Sequence, residues 1–110
     1  MENIMNNEKG EINKAYFAVN VVDDGMSGAS IPKGAVVIAR WQAIAEPGDI
    51  VVALVNDQAI LRRFSKKGND VILTATNPAF PPIIEESENI IILGKAMQVY
   101  VDLANEEEGA

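Results

Sequence analysis

Neither cysteine nor histidine occurs among the 110 residues. That double absence removes disulfide frameworks, thiol nucleophiles, Cys or Cys/His zinc sites and the imidazole general base. Any catalysis would have to come from serine, lysine or carboxylates. Basic residues are scarce as well: nine Lys and Arg stand against sixteen Asp and Glu, a formal net charge of -7. Such a surface repels a phosphate backbone rather than releasing its counterions, so the domain is not by itself a nucleic-acid reader, and solubility is the ordinary use of the charge. Also missing are a charged-then-apolar leader and any apolar run approaching the ~20 residues that span a bilayer. These absences read as a cytoplasmic chain without membrane contact. There is no internal repeat. Glu85, Glu86 and Glu88 have no convergent spacing and read as a solvated loop, so neither a metal nor a cofactor is implied.

What is present is an ordinary globular composition, 48% apolar and 23% charged, at a length that supports one core. Residues 1–13, rich in Asn and Glu, read as a flexible arm or linker remnant, and 104–110 as an acidic tail. The folded domain is expected over 14–103.

Within it, β-branched runs of strand length alternate with turn signals. Strands are expected at Tyr16–Val22, Ala35–Arg40, Ile50–Val55, Gln58–Phe64, Val71–Ala75 and Ile90–Val101. Asn56-Asp57 and Lys67-Gly68-Asn69-Asp70 fit hairpin turns, and Pro32 with Gly34 and Pro47-Gly48 mark two more. Three prolines between Asn77 and Pro82 exclude a central strand there. The unbroken run Ile50-Val51-Val52-Ala53-Leu54-Val55 requires a strand covered on both faces. Gly94 marks a bend or bulge. The one expected helical turn lies near Trp41–Ala45. The fold class is therefore mostly β, a largely antiparallel sheet folded over on itself. Trp41 and Met97 read as core or interface residues.

Several elements in order carry a resemblance: Asp24-Gly25-Met26, Pro32-Lys33-Gly34-Ala35, Gly48-Asp49-Ile50-Val51-Val52, Ile60-Leu61-Arg62-Arg63-Phe64, Asn77 with Phe80-Pro81-Pro82-Ile83, and the final Ile91 to Val101 stretch. Together they resemble the C-terminal domain of the LexA, UmuD and phage CI repressor family of Ser-Lys autoproteases, over about Tyr16 to Leu103. The resemblance implies a LexA/signal-peptidase-like fold. It also implies a serine at position 25 and a lysine at position 62.

Here the chain departs from the pattern. Gly25 has no side chain to attack with, and Arg62 carries a guanidinium that stays protonated and cannot act as the base. No Ala-Gly or Cys-Gly dipeptide, the family's usual scissile bond, occurs in the sequence. The dyad therefore reads as degenerate. A slipped register would use Ser27 as nucleophile with Lys66 or Lys67 as base, but a turn lysine in water stays charged at neutral pH.

Strand alternation puts Ile60, Arg62 and Phe64 on one face, which aims Arg62 at the old cleft, where Asp23 or Asp24 is the expected partner; the bland alternative is a solvated arginine. Gly25 itself also fits a turn needing φ > 0. The resemblance further implies a homodimer formed through Lys95, Met97, Val99 and Val101. It implies a transcriptional regulator of the SOS or phage type that contacts DNA only through a separate N-terminal domain and answers to an antirepressor or regulatory protein. A peptide-binding adaptor that keeps an empty cleft is the remaining alternative.

Overall fold

A computed structural model describes residues 15–102; the expected arm and acidic tail, with Leu103, lie outside them. β-Branched and apolar residues at half-buried positions build seven strands: β1 (Tyr16–Asn20), β2 (Val36–Trp41), β3 (Ile50–Val55), β4 (Gln58–Lys67), β5 (Asp70–Thr74), β6 (Ile83–Glu86) and β7 (Ile91–Tyr100). They form one antiparallel sheet in the order β1-β2-β7-β3-β4-β5-β6. The last strand is thus inserted between the second and third. Among the described residues no helix is long and apolar enough to cross a membrane.

β3 shows why its run is continuous. Val52 enters one apolar cluster with Val21, Met26, Ile31, Val37, Ala39 and Leu61, whereas Val51 and Ala53 enter a second with Phe64, Val71 and Leu73. Period-two alternation delivers successive side chains to opposite faces, and here both faces are covered. Each fully buried aliphatic side chain removed from water contributes about 1.5–3 kcal/mol before entropy is counted.

The hairpins follow local chemistry. Asn56 and Asp57 both adopt positive φ (51° and 66°) between β3 and β4, the pattern of a type I′ turn. β7 pairs with both β2 and β3, and its register slips twice, between Ile38 and Ala39 and between Val52 and Ala53 of its neighbours. The second slip adjoins Gly94. A Cβ at Gly94 would strike the Arg40 carbonyl and lie 2.7 Å from Cε1 of Phe17. Glycine is needed there for close approach.

The structure corrects the sequence reading in three places. Trp41–Ala45 holds no helical turn: the Gln42 N–H donates to the Leu93 carbonyl, and the Gln42 amide donates to the Ile44 carbonyl. These bonds tie the segment to β7 and to itself, leaving no helical ladder. Short 3₁₀ turns occur instead at Ser27–Ala29 and Ser87–Asn89. Glu85 and Glu86 are not loop residues but belong to β6, opposite Val71 and Asp70 of β5. β6 is an edge strand, where exposed carboxylates discourage further pairing.

Candidate functional site

The connection between β1 and β2 builds the site. Met26, 1% exposed, anchors it in the first apolar cluster, and its neck is closed by the Val21 N–H donating to the Ala35 carbonyl and the Gly34 N–H donating to the Val21 carbonyl. The Asp23 carboxylate accepts from the Gly25 N–H at 2.8 Å, a local side-chain turn. Asp24 points elsewhere, accepting from the Lys33 N–H at 3.1 Å.

The segment after β5 fastens the other side. The Thr76 and Asn77 N–H groups both donate to the Gly25 carbonyl, at 2.8 and 3.0 Å. The Gly28 N–H donates to Oγ1 of Thr76 at 2.9 Å, and the Asn77 side chain donates to the Asp24 carbonyl. Gly25 is thereby buried and held through both its N–H and its carbonyl.

β4 supplies Arg62, the one buried charged residue among those described, 4% exposed. Its Nη1 donates to the Leu61 carbonyl at 2.7 Å and to Oδ1 of Asp23 at 3.2 Å, and Nη2 donates to Oδ2 of Asp23 at 3.3 Å. Cζ lies 5.3 Å from the centre of the Phe80 ring, a cation–π approach. Nε is buried without a hydrogen-bond partner among the described residues. A buried guanidinium needs this carboxylate, since an unpaired interior charge is strongly destabilising. Burial pushes the Asp23 carboxyl up, but bonds from Arg62 and the Gly25 N–H, with the guanidinium charge, outweigh it and hold the group below the ordinary aspartate value.

Gly25 does not have positive φ; among the described residues the glycines that do are Gly34, Gly48 and Gly68. Space, rather than turn geometry, requires glycine at position 25. A Cβ there would overlap Nη1 of Arg62 and lie 2.7 Å from Cζ and 3.0 Å from Nη2.

The other candidates lie apart. Ser27 is exposed in its 3₁₀ turn, and Lys66 and Lys67 are exposed toward the end of β4. Lys66 stands four residues along β4 from Arg62, about 13 Å at strand rise. It lines an apolar groove of about 460 Å³ with Ile44, Phe64, Val71, Ile90 and Ile92, which the sequence reading did not find. The 78% exposure of Ile44 is its surface sign. Trp41, half exposed, stacks on Phe17 with ring centres 3.9 Å apart. Lys95 pairs with Asp49 at 3.4 Å, Met97 and Val99 are exposed, and Val101 packs against the first cluster. Among the described residues no group of three or more acidic side chains is placed to hold a metal.

The site is thus a buried, charge-paired arginine against a glycine, on an antiparallel sheet with two apolar clusters. Residues 2–97 match the model of the Peptidase S24-like family, and the chain belongs to that family. It is similar to the LexA repressors of Staphylococcus epidermidis and of Staphylococcus aureus (strain Newman), each 39% identical over 92 residues. The match covers 83% of this chain and 44% of each repressor, so the chain spans less than half the length of these curated relatives.

Proposed function

We propose that this domain is the non-catalytic dimerisation module of a LexA-like or phage-type transcriptional repressor, its peptidase dyad replaced by Gly25 and Arg62. The observation that carries this reading is the Arg62 guanidinium, held by Asp23 in the space beside a residue with no side chain. A guanidinium Nη already donating to a carboxylate offers no acceptor for a nucleophile's proton.

Assembly is supported by the C-terminal half of β7. Ala96, Gln98, Val99 and Tyr100 pair with β2 along one edge, with Met97 at the register slip, while β3 ends its pairing at Lys95, so the other edge carries no ladder among the described residues. Met97, Val99 and Tyr100 are exposed there, beside a hollow of about 150 Å³ that Ile31, Ile50 and Met97 help to line. An apolar strand bonded on one side is suited to pairing with its own copy. Dimerisation would then join two DNA-reading domains and make the second half-site contact effectively intramolecular. A cytoplasmic setting and control by an antirepressor follow from the same reading.

The test is paired. Sedimentation over a concentration series is expected to show a monomer–dimer equilibrium, and incubation of the chain, and of a version fused to a LexA linker, at alkaline pH is expected to yield no fragments. A monomer at all concentrations would remove the assembly role. Fragments lost on Ser27→Ala would instead establish a working nucleophile at Ser27.

A further inference from the structure

We infer that Gly25 and Arg62 are one interlocked unit in which the guanidinium serves as a built-in plug, closing the site to any peptide and making each residue intolerant of change without the other. The significance of the plug rests on the proposed loss of the dyad; its steric basis does not.

The geometry limits motion from both sides. A side chain at position 25 must displace the guanidinium, because its Cβ would lie 2.7 Å from Cζ and overlap Nη1. The guanidinium has little freedom to withdraw: it is held by both Asp23 oxygens and the Leu61 carbonyl, and is covered by Phe80. Nor can the loop retreat cheaply, since the Gly25 carbonyl accepts two N–H groups from Thr76 and Asn77 and its N–H is spent on Asp23.

Substrate access fails for the same reason. Attack on a peptide carbonyl needs the reacting atoms about 3–3.5 Å apart, and the volume facing position 25 is already taken by Cζ and the two Nη atoms. An extended peptide entering beside Gly25 would have to expel a charged group from its carboxylate. A serine introduced alone would therefore meet the arginine rather than a substrate. A lysine introduced alone would lack the planar fork that spans both Asp23 oxygens.

A double-mutant cycle tests the interlock. Gly25→Ala is made in the parent, in Arg62→Ala and in Arg62→Lys, and the folding equilibrium constant of each is read by urea unfolding. With Arg62 present, Gly25→Ala is expected to lower that constant by about 10- to 100-fold, and in either Arg62 variant by less than about 3-fold. The lysine arm separates a steric plug from a charge effect, because it keeps the charge and removes the fork. If Gly25→Ala alone does not fold, recovery of folding in the Gly25→Ala/Arg62→Lys protein supports the plug. Equal losses in all three backgrounds, or no recovery, overturn it. The readout is stability, so the plug can fail while the chain still dimerises without cutting itself. Self-cleavage by the parent would sink the proposed function and leave the coupling untouched.

Discussion

The loop around Gly25 and the outer half of β7 handle exposed chemistry in opposite ways. In the loop, a charged group is drawn inside and covered: Arg62 is 4% exposed, and the carboxylate of Asp23, the Leu61 carbonyl and the Phe80 ring surround it. Along β7 from Ala96 to Tyr100, apolar side chains stand in water and one backbone edge carries no sheet ladder among the described residues. The contrast separates two uses of one scaffold. A site meant for chemistry must admit substrate and leave its acid–base groups free to exchange protons, whereas an assembly surface needs only apolar area and an available edge. By these criteria the first region is closed and the second is open.

The most severe way to break the closed region is to remove its counter-charge. Asp23→Ala leaves the Arg62 guanidinium buried without a carboxylate, and such losses cost about 3–5 kcal/mol for a fully buried pair. With the Asp23 side chain 27% exposed, water can partly replace it, and a loss of about 2–4 kcal/mol in urea unfolding is expected. Asp24→Ala is expected to cost about 1 kcal/mol, since the Asp24 carboxylate accepts from the Lys33 N–H alone among the described residues. Equal losses from the two aspartates would erase the distinction.

Next in size is Val99→Glu, which would place a like-charged pair across the proposed twofold edge. The dimer dissociation constant is expected to rise about 100-fold, roughly 2.7 kcal/mol. The unfolding free energy of the monomer should stay within about 0.5 kcal/mol, because Val99 is already 38% exposed. Dimerisation unchanged by sedimentation would move the interface elsewhere.

Much of this architecture is legible in the residues. The β3 run signals burial on both faces, and Asn56-Asp57 signals a tight turn, because both effects are local. The strand order is not legible: that β7 enters between β2 and β3 is decided by pairing across the whole chain. β6 escapes notice because Pro81-Pro82 and the following glutamates resemble a loop, and only pairing with β5 makes Ile83–Glu86 a strand. At the site, positions 25 and 62 are recognisable by resemblance, but the choice between Asp23 and Asp24 is not. It depends on Asp23 folding back onto the Gly25 N–H while Asp24 turns to Lys33. The reason for glycine at 25 was likewise hidden, since it is the arginine's volume and not a positive φ.

Acid should weaken the closed region selectively. The folded Asp23 group is held below its ordinary value, so its contribution is complete above the unfolded value near ~3.9 and is lost as pH falls through the lower folded value. Unfolding free energy measured from pH 6 downward should therefore begin to drop near pH ~4. Asp49 adds to the same limb: the Glu46 N–H and Lys95 lower it against the opposing effect of burial. Asp23→Asn is expected to start less stable at pH 6 and to show a shallower acid limb. A parallel curve would mean that Asp23 contributes nothing to the pH dependence.

The smallest effect is expected at Lys95, at the inner end of the outer half of β7. Lys95 is the last β7 residue paired with β3, opposite Val51, and its ammonium reaches Asp49 at 3.4 Å with its side chain 36% exposed. An ion pair that wet contributes about 0.2–1 kcal/mol and is screened by salt. Lys95→Ala should cost no more than about 1 kcal/mol at low salt and less at 0.5 M NaCl. If Lys95 is occupied within its own subunit, its loss should change the dimer dissociation constant by less than about 3-fold, against the ~100-fold expected for Val99→Glu. A larger change would extend the assembly surface inward past the end of the β3 pairing.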